Sequence, residues 1–332
     1  MTHSRYDVLG IGNAIFDILG HIGDETLAEN NLVKGSMRLV TADEAKAVDA
    51  LLTDAVRISG GSAGNTVAGV GSLGGRAAFI GKVAPDDYGV AYRSDMHRIG
   101  IDFPTAPLTD GTPTATSVIL VSPDGERTMN TFLGASQRLT VDDIDPDLVD
   151  GAAITFLEGY LFDPDAAKSA FRAAAERANA AGRIAALTMS DSFCIERHRA
   201  DFLAWLKSGQ IGLVFANIAE TKSLFETDDF DAAATALGEL VPITVITMGE
   251  KGARVITGGT TVEVPAAPTN VVDLTGAGDL FAGGYMLGHA RGLAPAECAR
   301  LGAIAAAEVI AHVGARPQTD LLTLAKAAGF PF

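Results

Sequence analysis

Cysteine is scarce: Cys194 and Cys298 are the two in the chain. Two cysteines exclude a disulfide framework and a thiolate metal cluster. They fit a reducing compartment, so a cytoplasmic protein is expected. Positive charge is also short. Lys and Arg number 25 against 41 Asp and Glu, a formal net charge of −16. A basic nucleic-acid footprint and a polybasic membrane patch are therefore not expected. Long apolar runs are missing as well. Asp7 and Asp17 interrupt the first twenty residues, and Glu308 and His312 break the longest late candidate. Neither a signal peptide nor a membrane span is expected. Ser/Gly linkers, low-complexity tracts and short-period repeats are absent too. What is present is a globular composition, 48% hydrophobic and 20% charged over 332 residues. That length can bury a core as one large α/β domain or two medium ones.

Short apolar runs alternate with longer helical patterns. Residues 6–12, 153–157, 184–188, 211–216 and 243–247 are rich in Val, Ile, Leu and Ala, with little polar alternation. That is the pattern of strands covered on both faces. Residues 165–181 and 195–207 read as helices between them. The alternation predicts a doubly wound, mostly parallel α/β sheet with helices on both faces. Residues 112–132 differ. Two β-rich runs flank Pro123-Asp124-Gly125, a turn signal, which predicts a hairpin outside the βαβ series. It reads as part of a small β-sheet lid beside the main sheet, or as a plain antiparallel edge.

Neither standard nucleotide motif is present. A Walker A loop would need Ser or Thr after Gly81-Lys82, where Val83 stands, and Arg76 stands at its first glycine. A dinucleotide fingerprint would need glycine where Ile15 follows Gly10-Ile11-Gly12. The informative stretch is Asp273-Leu274-Thr275-Gly276-Ala277-Gly278-Asp279, ahead of an apolar, proline-free run that predicts a buried helix. Glycines at a helix start let free backbone N–H groups converge on an anion without a lysine. Asp279 falls in the first turn, where a carboxylate is often a helix-dipole partner. Beside an anion hole it also meets the needs of phosphoryl transfer, which are a base for the incoming hydroxyl and donors for the phosphate.

Gly60 to Gly69, read as GGSAGNTVAG, is a second glycine-rich stretch at a helix start. Gly61 permits close backbone approach, and Ser62 and Asn65 can meet ligand hydroxyls. A tight turn with Ser/Asn capping is the competing reading. Asn13 and Asp17 follow the first strand, and a carboxylate among Ile15, Phe16, Ile18 and Leu19 needs a partner. Asn217 to Glu220 and Thr247 to Gly252 each follow a predicted strand, where α/β sheets bind ligands. Each is weak alone, since Asn caps and glycine turns are common there.

Together, and in this order, these stretches resemble the ribokinase-like sugar and nucleoside kinases of the PfkB family, over about residues 6–317. DLTGAGD resembles the family's DTxGAGD motif, with Leu274 in place of Thr. The resemblance implies a ribokinase-like α/β domain over residues 1–332 with a discontinuous lid from about 13–42 and 101–135. It implies Asp279 as base, and an anion hole from the N–H groups of Gly276, Ala277, Gly278 and Asp279. Asn217 and Glu220 would organise Mg²⁺ and phosphates, with Glu220 acting through water. Thr247, Gly249 and Gly252 would line the ATP site. Asp273 and Thr275 match positions that hold a monovalent cation, with K⁺ the candidate ion. The later part of that cation site departs from the usual GAxPS, since this chain reads Gly314-Ala315-Arg316-Pro317-Gln318.

Asn13 and Asp17 four apart, and Ser62 where sugar-specific members carry lysine, resemble the adenosine kinase branch. Asp17 and Asn65 would then bind ribose hydroxyls, with Asn13, Gly61 and Ser62 completing the pocket. Arg127 resembles an arginine that reaches the phosphates, though a solvated hairpin charge is the competing reading. Phe16, Leu133, Tyr160 and Leu161 are candidates to hold a purine. The expectation is ATP-dependent phosphorylation of a nucleoside 5′-hydroxyl, adenosine first, in purine salvage. Inosine–guanosine kinase, ribokinase or another sugar kinase, a nucleotide-sensing protein on the same fold and an unrelated oxidoreductase are the alternatives. A monomer and a lid-paired homodimer both agree with the sequence. The acidity does not oppose phosphate binding, because backbone N–H groups and a metal ion require no basic surface.

Overall fold

A computed structural model describes residues 4–332. Thirteen strands among them form two sheets. They are β1 (Tyr6–Ile11), β2 (Ile15–His21), β3 (Met37–Leu39), β4 (Val56–Ser59), β5 (Ala77–Ile80), β6 (Ala115–Val121) and β7 (Arg127–Phe132). There follow β8 (Ala152–Glu158), β9 (Ile184–Thr188), β10 (Leu213–Asn217), β11 (Ile243–Thr247), β12 (Ala253–Thr257) and β13 (Thr260–Val264). The large sheet has eight strands in the order β13-β12-β11-β10-β9-β8-β1-β5. The run from β11 to β5 is parallel, and β12 and β13 add antiparallel at one edge. The five strands expected from apolar runs lie side by side within it.

Their lack of polar alternation has a visible cause. Val8 and Phe156 enter one core, and Leu9, Ile11 and Leu157 enter the other, on the opposite face. The helices Ser62–Ser72, Ala277–Ala290 and Pro295–Val309 cover the first face through Val67, Leu280, Leu287 and Leu301. The helices Asp165–Ala180 and Ser192–Lys207 cover the second through Phe171, Phe202 and Trp205. A strand buried on both sides gains from apolar residues at every position. Among the described residues no helix is long and apolar enough to cross a membrane.

The small sheet runs β3-β7-β6-β2-β4. β6 and β7 form the expected hairpin, pairing Val121 with Arg127 across the Pro123-Asp124-Gly125 turn. β4 joins the sheet from outside both expected lid segments, pairing Ile58 with Asp17. Its four residues, VRIS, are too few for an alternation to stand out in the sequence. Side chains alternate along β2, so Phe16 and Ile18 enter the first core while Asp17 points to the other face.

Strand order reverses at β1. The chain leaves it for the small sheet and comes back to β5 on one side and β8 on the other. The crevice beyond the carboxyl ends of β1 and β8 is a topological switch point, the place where open α/β sheets bind ligands.

Candidate active site

The two glycine-rich stretches, 217 residues apart, meet at Asp279. Each lies at the start of a helix on the same face of the large sheet. Gly276, at φ +80°, precedes the helix Ala277–Ala290, and a Cβ there would meet Ala315. Gly61, also at φ +80°, precedes the helix Ser62–Ser72, and a Cβ there would lie 2.1 Å from the Asn13 carbonyl. Both conformations favour glycine, and both bring the chain back sharply into a helix. Ser62 Oγ donates to Asp279 Oδ1 at 2.6 Å, and Asn65 Nδ2 donates to Asp279 Oδ2 at 3.0 Å. Asp279 therefore sits at the first helical turn with both oxygens oriented.

Burial raises the Asp279 pKa, while the Ser62 and Asn65 bonds and the charge of Arg316 oppose the rise. The N–H groups of Gly276, Gly278 and Asp279 have no hydrogen-bond partner among the described residues. The Ala277 N–H turns back to the Leu274 carbonyl at 3.3 Å. Three of the four expected anion-hole donors are thus open, and the fourth is engaged.

Asp17 lies close by, against Gly60. It has no hydrogen-bond partner among the described residues, and burial pushes its pKa up to about 7, against the pull of Arg316 and Arg127. The Asn65 amide oxygen is also buried without a partner. A half-buried carboxylate and a buried amide oxygen, both without donors, mark a place where a ligand can supply hydroxyl groups. Asn13 is different. Its Nδ2 donates to Glu158 Oε1 at 2.7 Å, and its Oδ1 accepts from Gln137 at 3.4 Å.

Glu158 was not singled out from sequence. It ends β8, is buried, and accepts the Ala63 N–H at 2.8 Å as well as Asn13. Burial pushes its pKa up to about 7. A lone carboxylate closing the apolar run ITFLE is the signal that could have found it. Arg316, noted only as a departure from a motif, reaches the same place. Its Nε and Nη1 donate to the Ser59 and Gly64 carbonyls, each at 3.0 Å, and its Nη2 to Ser59 Oγ at 3.1 Å.

Arg127 does not stand free at the crevice. It forms an ion pair with buried Asp273, and its Nη1 donates to Thr275 Oγ1 at 2.5 Å. The two residues matched to a cation site therefore hold a guanidinium. Two of the candidate purine contacts lie in the core. Phe16 stacks on Tyr88 with ring centroids 5.1 Å apart, and Leu161 is fully buried. Phe16 is one residue out of phase with Asp17, which sends it to the other face of the sheet. Leu133 and Tyr160 keep exposed surface.

A second group gathers at the carboxyl ends of β10 and β11, where Asn217 and Thr247 are register partners. Asn217 caps the helix Ile218–Phe225, its Oδ1 accepting the Glu220 N–H at 2.8 Å while Glu220 accepts from Asn217 in return. Burial pushes the Glu220 pKa up to about 7. Gly249 and Gly252, at φ +61° and +94°, form the loop after β11. Tyr160 donates its hydroxyl to the Ser190 carbonyl at 3.2 Å; burial raises its pKa, and the charges of Asp191, Asp279, Glu158 and Glu220 add to the rise.

The model of the pfkB family carbohydrate kinases matches residues 28–321. The adenosine kinase of Sinorhizobium meliloti has a crystal structure that superposes at a TM-score of 0.91, with 47% identity over 98% of this chain and all of that one. Adenosine kinase 2 of Arabidopsis thaliana is 25% identical over 94% of this chain and 96% of its own length. An uncharacterised sugar kinase of Archaeoglobus fulgidus is 30% identical over 75% of this chain and 96% of its own. The mixed fold, with its second small sheet, is that of these ribokinase-like enzymes. The chain belongs to the pfkB family of carbohydrate kinases, and with it to the ATP-dependent kinases of sugars and nucleosides.

Proposed function

We propose that this protein transfers the γ-phosphoryl group of ATP to the 5′-hydroxyl of a nucleoside, adenosine first. The observation that carries the reading is the convergence of Ser62, Asn65 and Asp279 beside three open N–H groups at one helix start. A base with fixed oxygens stands next to donors for the transferring group. The similarity to adenosine kinases at full length supports the choice of acceptor.

Asp17 and the Asn65 amide oxygen accept hydrogen bonds from the ribose hydroxyls, which directs the 5′-hydroxyl to Asp279. Asn13 acts behind them, through Glu158, and Gly61 and Ser62 form the wall at the helix start. Asp279 takes the proton of the 5′-hydroxyl. The freed oxygen bonds to the γ-phosphorus in line as the bond from that phosphorus to the β-bridging oxygen breaks, and ADP leaves with that electron pair. The N–H groups of Gly276, Gly278 and Asp279 stabilise charge on the equatorial oxygens. Thr247, Gly249 and Gly252 line the nucleotide, with Asn217 and Glu220 next to its phosphates.

Among the described residues no three His, Cys, Asp or Glu side chains converge as a metal cage. Mg²⁺ prefers one or two carboxylates together with phosphates and water, so the buried Glu220 carboxylate would hold it from one side, through water. Held there, Mg²⁺ would supply positive charge to offset that of the phosphates.

An ADP-release assay over adenosine, inosine, guanosine, ribose and fructose phosphates tests the reading. Adenosine is expected to give the highest kcat/KM. Turnover on ribose alone, with none on any nucleoside, would replace the acceptor with a sugar.

A further inference from the structure

Asp273 is buried, and protein donors fill its carboxylate. Its Oδ1 accepts the Thr275 N–H at 3.1 Å and the Thr275 hydroxyl at 2.9 Å. Its Oδ2 accepts the Gly314 N–H at 2.8 Å and the Arg127 guanidinium. A carboxylate offers about four lone-pair sites, and all four are directed at N–H or O–H groups here. Arg127 takes the Thr275 hydroxyl oxygen as well. A potassium ion needs oxygens whose lone pairs are free to face it, and a guanidinium already supplies the positive charge. The donor set at Asp273 and Thr275 therefore does not fit a monovalent cation.

We propose that Arg127 takes the place of that cation: it neutralises Asp273, ties the small sheet to the loop leading into Gly276, and makes the enzyme independent of potassium. The inference rests on the kinase reading of the site. Arg127 begins β7 on the small sheet, while Asp273 and Thr275 lie 146 and 148 residues later in the loop that enters the anion-binding turn. The guanidinium joins these two parts as a bound ion would, but from the lid side. It acts through Asp273 and Thr275 and is a positioning residue.

The test compares potassium chloride with tetramethylammonium chloride at equal ionic strength. Thermal melts of the ligand-free protein read the site without any turnover, and kinetics with ATP and adenosine read its consequence. The wild type is expected to show the same Tm, kcat and KM in both salts. Arg127→Met is expected to lose about tenfold in kcat/KM without potassium, the scale of one charged hydrogen bond. Both its Tm and its kcat should then climb saturably as potassium is added. Arg127→Lys, which keeps the charge, should stay insensitive to the salt. A wild-type Tm that rises specifically in potassium, or an Arg127→Met protein that ignores the ion, would overturn the proposal. If Arg127→Met does not fold, the wild-type melts and Arg127→Lys decide. Loss of turnover in both salts would count against the kinase reading alone, because the melts still report on Asp273.

Discussion

Ser62 Oγ donates to Asp279 Oδ1 at 2.6 Å. The bond favours the carboxylate, against burial, which favours the acid. Ser62→Ala leaves the Asn65 bond in place and removes about 1.5–3 kcal/mol of support for the charged form. The Asp279 pKa should rise further, and the acid limb of the kcat profile should move to higher pH. An unmoved limb would show that Ser62 has no effect on the base.

Asp279→Asn keeps the shape and removes the proposed base. Turnover should fall by about 10²–10⁴, the usual range for general base catalysis. Stability near neutral pH should not fall, because burial opposes the charge that the substitution removes. Near-normal kcat in a folded variant, checked by circular dichroism, would move the base elsewhere.

Beside Asp279, three more carboxyls are shifted upward. Burial pushes Asp17, Glu158 and Glu220 up to about 7. A raised folded pKa means that the native state binds more protons than the unfolded chain between ordinary carboxylate pH and about 7. Stability of the ligand-free protein should therefore fall as pH rises through that window. Glu158→Gln removes one of these groups, so its Tm should vary less steeply with pH than the wild type's. An equal slope in both proteins would mean that Glu158 titrates normally.

Arg316 binds two carbonyls and a hydroxyl around the Ser62–Ser72 helix start, and its charge lowers the pKa of both Asp17 and Asp279. Arg316→Met should destabilise the fold by about 1–3 kcal/mol, through buried acceptors left without a donor. It should also shift the acid limb of activity upward. Denaturant melts and a pH profile on the same protein check both effects. A change in stability with no change in the limb would limit Arg316 to a structural role.

Gly61→Ala places a Cβ 2.1 Å from the Asn13 carbonyl at a φ of +80°. The strain costs about 1–3 kcal/mol. KM for the acceptor should rise, because Asn13 and Ser62 move apart. A variant with unchanged melting and KM would contradict this account of the turn.

The parts of the molecule that were legible in the sequence are those written in local pattern. Apolar runs marked the five central strands, and glycine beside Ser, Asn or Asp marked both helix starts. Residues that matter through distant partners were less visible. Glu158 shows only as one acid at the end of an apolar run, and its partners Asn13 and Ala63 are 145 and 95 residues away. Arg316 stood in a motif whose usual residues it breaks, so its bonds to Ser59 and Gly64 had no local sign. The engagement of Arg127 with Asp273 joins residues 146 apart, one on the small sheet and one in the loop before Gly276, so it had no local sign. Phe16 was misplaced for a simpler reason: neighbouring residues on a strand face opposite ways, so an aromatic next to Asp17 cannot share its pocket.

The proposed function stands on transfer to a nucleoside 5′-hydroxyl at Asp279. Phosphorus NMR of the product formed from ATP and adenosine tests it most directly. The expected product is one phosphomonoester coupled to the two 5′ protons, formed one for one with ADP, and formed about 10²–10⁴ more slowly with Asp279→Asn. ADP formed without any phosphorylated nucleoside, or a phosphomonoester on another hydroxyl, would contradict it.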